Sequence, residues 1–177
     1  MVFKKTKLEG AYVIDIEPIK DKRGFFARNF CKEEFRKNGL EFNIVQSNIS
    51  YNKKNGIIRG MHYQAPPHEE AKLVTCIKGA LYDVIIDLRP SSLTYGKWFS
   101  IQLTESNCRI LYIPKGCAHG FQTLKDDTVI LHHMSEFYHP ECVRSVRWDD
   151  PVFNIKWPLK NITISDKDRR YPSFLKL

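Results

Sequence analysis

Leu73-Val74-Thr75-Cys76-Ile77-Lys78-Gly79-Ala80-Leu81-Tyr82-Asp83-Val84-Ile85-Ile86-Asp87-Leu88 is the stretch that decides the fold. Two runs, 73–77 and 81–88, are rich in β-branched and aliphatic residues, and Lys78-Gly79 supplies the turn chemistry that separates them. Outward from it, similar runs recur at 11–16, 45–50, 98–103, 109–113, 121–124 and 128–134, punctuated by Pro90-Ser91-Ser92, Pro114-Lys115-Gly116 and Asp126-Asp127. Many short strands at this spacing predict an all-β sandwich or barrel. One helix is predicted near the start, over 32–39, where charged residues surround Phe35 and Gly39 offers a stop. No fixed-period repeat or linker is visible, and the last forty residues read as an irregular wrapping segment. The expectation is one domain spanning 1–177.

A chain of 177 residues is long enough to bury a substantial core without disulfides or metals to staple it. Its formal net charge is +8, yet the basic residues are dispersed and alternate with acidic ones, as in Lys32-Glu33-Glu34-Phe35-Arg36-Lys37. No nucleic-acid partner is expected, because there is no RNP-type aromatic motif and no basic helix with heptads. A small phosphorylated ligand needs only a few cations. The cysteines Cys31, Cys76, Cys108, Cys117 and Cys142 form no C-x-x-C pair and read as inert thiols. Met1-Val2-Phe3-Lys4-Lys5 lacks the apolar region of a secretion signal, and no run is long enough to cross a bilayer. A cytoplasmic protein with no membrane partner is the expectation.

Residues that carry chemistry cluster in Gly56-Ile57-Ile58-Arg59-Gly60-Met61-His62-Tyr63-Gln64, in Glu70-Ala71-Lys72, and in Pro114-Lys115-Gly116-Cys117-Ala118-His119-Gly120. A lone strand histidine is more often structural than catalytic. His62 stands between Gly60 and Gln64, however, so its sheet face carries small and polar groups that an apolar core would not select. Strict alternation puts Arg59 on the opposite face from His62, and a bulge at Gly60 would bring both to one side. Lys72 either snorkels to water or points inward, where its charge would stabilise an enolate oxygen beside a base. His119 is expected where a strand enters after a loop. His132 and His133 are consecutive in a strand and should face opposite ways. Gln46 and Asn48 share one strand face, and Asp21-Lys22-Arg23-Gly24-Phe25-Phe26 offers a turn, a cation and two aromatic rings. The His-x-His pair followed by Glu that metal-binding barrels use is absent, so no metal is expected.

Together these segments resemble the nucleotide-sugar 3,5-epimerases, the dTDP-4-dehydrorhamnose 3,5-epimerase family. The similarity runs from Asp21–Phe26 through Gln46-Ser47-Asn48, Arg59-Gly60-Met61-His62-Tyr63-Gln64, Lys72-Leu73-Val74, Asp87-Leu88-Arg89-Pro90 and the His119 segment to Arg147-Trp148-Asp149-Asp150-Pro151 and Ile164-Ser165-Asp166-Lys167-Asp168. It implies a cupin-type antiparallel jelly-roll β-barrel with short peripheral helices, no metal or redox cofactor, and a homodimer whose N-terminal strand residues reach the partner's site. The implied substrate is a nucleotide-diphosphate 4-keto-6-deoxyhexose, whose C4 ketone acidifies the protons at C3 and C5. By resemblance His62 is the base, Asp168 its orienting carboxylate, Lys72 the enolate stabiliser and His119 a sugar contact. Arg59 and Arg23 would bind the diphosphate, and Phe26, Gln46, Asn48 and Tyr138 would position base and sugar, with Arg23 and Phe26 serving the partner's pocket.

Two departures bear on the outcome. The family places a tyrosine as the opposite-face acid where this chain has His132, whose unperturbed pKa is about 6.5 against about 10 for tyrosine. Inversion at both carbons or at C3 only is therefore open. Arg28 stands where thymidine-specific members commonly carry a glutamate, so dTDP, CDP, GDP and UDP are all open. The rival readings are a 3,4-ketoisomerase on the same fold and a non-catalytic nucleotide-sugar-binding cupin.

Overall fold

The structure is a computed structural model that describes residues 1–174. In chain order the N-terminal elements are β1 (Val2–Lys5), β2 (Tyr12–Asp15), β3 (Ile19–Asp21), β4 (Gly24–Phe26), α1 (Lys32–Lys37) and β5 (Gln46–Asn52). The central ones are β6 (Ile57–Gln64), β7 (Lys72–Lys78), β8 (Ala80–Asp87), β9 (Trp98–Thr104), β10 (Ile110–Ile113), β11 (Cys117–Thr123) and β12 (Thr128–Met134). A short 3-10 turn at Pro140–Cys142 leads into β13 (Val143–Ser145), β14 (Thr163–Ile164) and α2 (Asp166–Arg169). One sheet has the order β1-β2-β10-β7-β12-β5, and the other β13-β6-β11-β8-β9, with β14 added beside β6. Only the β14–β6 pairing is parallel among these pairs. This is the cupin-type jelly roll that the resemblance implied. No helix among the described residues is long and apolar enough to cross a membrane.

The turn at Lys78-Gly79 does not close a hairpin: β7 belongs to one sheet and β8 to the other, so the chain crosses between layers there. Gly79 has φ +83°, and a Cβ on it would stand 2.5 Å from the Thr128 hydroxyl, so the crossing needs a glycine. The crossing also explains why both runs read as continuously apolar. Leu81 and Ile85 of β8 meet Val74, Cys76, Leu111, Ile130, Phe121 and Leu103 between the sheets. Val84 and Ile86, on the other face, are covered by Val146, Phe153 and Ile155 of the C-terminal wrapping segment. Outside the first sheet, Phe35 of α1 packs with Phe42, Leu73, Ile14 and Tyr112. Each fully buried side chain of this size contributes about 1.5–3 kcal/mol, which is why two-sided burial holds so many short strands in register.

Five strands escaped the sequence reading because they are largely exposed or very short. Three of the four residues of β1 are exposed, and β3 and β4 form an isolated hairpin whose residues are all exposed. β13 and β14 span only Val143–Ser145 and Thr163–Ile164, too short to show a period. β11 begins at Cys117, earlier than the expected 121, so His119 lies inside a strand and not at its entrance. The cause is the turn at Gly116, after which Cys117 and Ala118 already pair with Asp87 and Ile86.

Candidate active site

Every second residue along the inner strands faces the space between the sheets, and its chemistry changes from one end to the other. In β12, Ile130 is core while His132 and Met134 line a recess; in β7, Cys76 and Val74 are core while Lys72 lines it. β5 adds Asn48 and Ser50, and β11 adds His119 and Phe121. The barrel is filled by hydrocarbon at one end and open and polar at the other.

β6 carries the decisive irregularity. His119 pairs with His62 but Phe121 pairs with Arg59, so β6 spends one residue more than β11 between the two pairs. That extra residue is the bulge expected at Gly60, and it lets both Arg59 and His62 line the recess. Gly60 has φ +141°, and a Cβ there would sit 2.5 Å from Gly120 Cα. A Cβ on Gly120 would in turn meet Met61 Sδ at 2.6 Å and the Arg59 carbonyl at 2.8 Å. Two facing glycines let the backbones approach closely enough to re-aim the side chains.

His62 is joined to Asp168 by an Nε2···Oδ1 contact of 2.7 Å across 106 residues of sequence. β14 makes this meeting possible by pairing Thr163 and Ile164 with Ile57 and Ile58 of β6, which sets α2 alongside. Ser165 caps α2 by accepting from the Asp168 backbone N–H at 3.1 Å. Burial alone would raise the Asp168 pKa, but hydrogen bonds from His62, Ser165 and the Gly60 backbone, with the charge of His62, outweigh it and hold the carboxyl below its ordinary value. An ionised carboxylate on Nε2 keeps the proton there and leaves Nδ1 as the basic nitrogen.

Lys72 is buried, its Nζ 2.9 Å from Glu70 Oε1 and 3.4 Å from the His62 carbonyl. The inward orientation is thus the one adopted. His119 forms a second pair, Nε2 to Asp83 Oδ1 at 2.5 Å, with the Asp83 side chain wholly buried and its Oδ2 lacking a hydrogen-bond partner among the described residues. His132 stands 5.9 Å from His119 and 6.3 Å from Phe121, ring centre to ring centre. Burial first, then the charges of His119, Lys72 and Arg59, push its pKa down to about 3 against a weaker opposing hydrogen bond with the Asn48 backbone. His133 faces the other way, to the Ser47 hydroxyl.

Arg59 donates its Nε–H to Asn52 Oδ1 at 2.9 Å and has no carboxylate partner among the described residues, which leaves the guanidinium fork for an anion. Gln46 accepts from the Tyr138 backbone N–H at 3.2 Å, and Gln46, Asn48 and Tyr138 line an adjoining recess with His62, Lys72 and Lys167. The residues brought together are therefore His62, Asp168, Lys72, His132, His119, Arg59, Gln46, Asn48 and Tyr138. Arg23, Phe26 and Arg28 are not among them. Arg23 pairs with Asp21 on the exposed β3–β4 hairpin, Phe26 is 78% exposed, and Arg28 pairs with Glu34 of α1.

Sequence reasoning missed Asp83, Glu70 and Lys167. Asp83 had a readable signal, a carboxylate in the middle of an apolar strand, and Glu70 shares a strand-type spacing of two with Lys72. Tyr171, whose ring lies 6.1 Å from that of His62, had none. The assembled site offers a carboxylate-oriented imidazole, a buried ammonium and an unpaired guanidinium in one recess. That set suits removal of a proton next to a carbonyl in an anionic substrate.

Comparison with known proteins agrees. A dTDP-4-dehydrorhamnose 3,5-epimerase from Methanothermobacter thermautotrophicus is 42% identical over 172 residues, covering 96% of this chain and 92% of that protein. The solved dTDP-4-dehydrorhamnose 3,5-epimerase from Bacillus anthracis, with TDP and PPi bound, superposes with a TM-score of 0.94 at 36% identity, covering 98% of this chain and 100% of that one. ChmJ, a 3'-monoepimerase from Streptomyces bikiniensis solved with dTDP-quinovose, superposes at 0.87 and 32% identity, covering 95% and 85%. With the sequence profile of the dTDP-4-dehydrorhamnose 3,5-epimerase family matching residues 5–176, the chain belongs to that family and is a deoxysugar epimerase.

Proposed function

We propose that this chain epimerises a dTDP-linked 4-keto-6-deoxyhexose, with His62 as the base. The observation that carries the reading is the His62–Asp168 pair facing Lys72 in the recess that Arg59 borders. Nδ1 of His62 takes the proton from the carbon beside the C4 ketone, and the electron pair moves into an enolate. Lys72 stabilises the enolate oxygen, a contribution of the kind that costs about 2.7–4 kcal/mol when one such donor is removed. Arg59 holds the diphosphate, while Gln46, Asn48 and Tyr138 position base and sugar. The dTDP assignment follows the ligands named for the two solved relatives.

Inversion requires a proton from the face opposite His62. A His132 held near pKa 3 is a neutral imidazole at pH 7 and a poor donor. In this reading the enolate is reprotonated mainly by His62 itself, on the face it left, so solvent exchange outruns inversion. The second copy of the chain completes the pocket: the β3–β4 hairpin presents Phe25 and Phe26, 55% and 78% exposed, with Arg23 between solvent and Asp21. An exposed aromatic pair beside a cation suits a neighbouring subunit's nucleotide site.

The test is incubation in D₂O with 4-keto-6-deoxyglucose linked to dTDP, CDP, GDP or UDP, following deuterium entry and inversion at C3 and C5 by NMR. Entry with dTDP, faster than inversion, is expected. Binding without any exchange would leave a nucleotide-sugar-binding cupin, and ketone migration without C5 inversion a 3,4-ketoisomerase.

A further inference from the structure

On the rim of the barrel, beyond the proton-transfer groups, three side chains converge that the epimerase chemistry does not use. His68, Glu136 and His139 each place a potential ligand atom within 4.8 Å of the others, and all three are half-buried. It is the only such grouping of three or more His, Cys, Asp or Glu among the described residues. The rings of His68 and His139 stack with centroids 3.5 Å apart and planes 8° from parallel. They come from loops far apart in sequence, the one after β6 and the one after β12.

The backbone under the cluster is already fixed. Gln64, buried at the end of β6, donates to the His68 carbonyl at 2.9 Å and to the Phe137 carbonyl at 3.0 Å, and accepts from the His139 N–H at 2.6 Å. One side chain therefore holds both loops in register, and only side-chain torsions remain to be set. His139 Nδ1 lies 3.0 Å from Glu141 Oε1. A proton held on Nδ1 by that carboxylate leaves the Nε2 lone pair free for a ligand, and a carboxylate behind a histidine is the usual support of a metal-bound imidazole. Glu136 uses Oε1 to accept from the Phe137 N–H at 2.8 Å and keeps Oε2 for a ligand.

Two imidazoles and one carboxylate suit a borderline-soft ion that accepts four ligands. Calcium and magnesium take sets dominated by oxygen. We propose that this chain binds a zinc-class divalent ion at His68, Glu136 and His139, with Glu141 orienting His139 and water completing the shell. Imidazole lone pairs lie in the ring planes and the two rings are stacked, so binding turns each ring about its Cβ–Cγ bond until the two lone pairs converge. The ion would then tie the loop that leads to Glu70 and Lys72 to the loop that carries Tyr138, and so stiffen the mouth of the pocket. The proposal does not depend on the identity of the sugar nucleotide.

The experiment is titration of the full-length protein with ZnCl₂ by calorimetry, and with CoCl₂ by visible absorption, on the wild type and on His68→Gln, His139→Gln, Glu141→Gln and His62→Asn. Expected are one equivalent of Zn²⁺ bound, a tenfold or greater loss of affinity in each of His68→Gln and His139→Gln, and a smaller loss in Glu141→Gln. His62→Asn should bind as the wild type does, and MgCl₂ should not compete. Retained dTDP binding shows that the rim variants are folded. No Zn²⁺ uptake, affinity unchanged in both rim histidine variants, loss in His62→Asn instead, or a cobalt–thiolate charge-transfer band would each overturn the assignment.

Discussion

Replacing His132 by tyrosine tests the proton path at its weakest point. With a pKa near 3, His132 carries its extra proton in only about one molecule in 10⁴ at pH 7. A tyrosine at the same position, with an ordinary pKa of about 10, is wholly protonated there. General acids in place contribute about 10²–10⁴-fold to proton transfer. His132→Tyr should therefore raise the ratio of inversion to solvent exchange at pH 7 by about 10²-fold or more. The ratio is the quantity to measure, because in the proposed reaction both processes begin with the same deprotonation step. In the wild type that ratio should climb about tenfold for each pH unit lowered between 8 and 5, since each unit raises the imidazolium fraction tenfold. In the tyrosine variant it should stay flat. One sample in D₂O, followed by NMR for deuterium content and for the coupling constants that report configuration, gives both numbers. A wild-type ratio that is independent of pH, with the variant no better, would mean that another group delivers the opposite-face proton and that the neutrality of His132 has no catalytic consequence.

Four further outcomes follow from the same geometry. His62→Asn should abolish exchange at both carbons while keeping dTDP binding, and Asp168→Asn, which spoils the tautomer, should reduce kcat by about 10²-fold or more with KM little changed; a substantial kcat in the former, read in the same assay, would remove the base. Gly120→Ala should lower both Tm and kcat, since its Cβ falls 2.6 Å from Met61 Sδ and 2.8 Å from the Arg59 carbonyl and must disturb the bulge that aims Arg59 and His62; a variant with unchanged kcat would show that the bulge tolerates a wider spacing. Mixing His62→Asn protein with Arg23→Ala protein should regain activity if the hairpin serves the neighbouring subunit, because one mixed pocket then has both residues, whereas no gain on mixing would return Arg23 to the surface. Finally, the unfolded chain protonates His132 below about pH 6.5 while the folded chain does not until about 3. Stability present above 6.5 is thus lost as the pH falls through that window, by about 1.4 kcal/mol per unit at most; chemical denaturation at pH 7 and 5 should show a steeper loss for wild type than for His132→Phe.

How far the sequence is legible depends on how local the cause is. The long inner strands could be read because period-two patterning and turn residues are properties of neighbours: 128–134 is observed with those bounds, and 98–103 falls short by one residue. The Gly60 bulge was readable because a glycine two residues before a histidine interrupts a strand-like run. Asp168 is different. Nothing within ten residues of it points to His62, and its position depends on a two-residue parallel strand, β14, that has no periodic signature. Only resemblance to a family supplied the pairing. The neutrality of His132 was likewise beyond the sequence, because it arises from burial and from the charges of His119, Lys72 and Arg59, which three other strands deliver.

The division of the barrel's inner face accounts for this arrangement. A site that removes a proton from a carbon acid needs a base, a cation and an anion anchor held rigidly, and rigidity comes from the sheets on which they stand. The same β7, β11 and β12 that supply Lys72, His119 and His132 supply Cys76, Cys117, Phe121 and Ile130 to the core, two or more residues along the same faces. Each polar group is thereby fixed by apolar packing a few ångströms below it. Desolvation is the consequence: the walls that position His132 also strip its charge. His62 and His119 are instead each backed by a carboxylate, Asp168 and Asp83, on Nε2. Three histidines in one recess thus have unequal support. His132 alone of the three has no carboxylate partner among the described residues, so the capacity to donate a proton is weakest there.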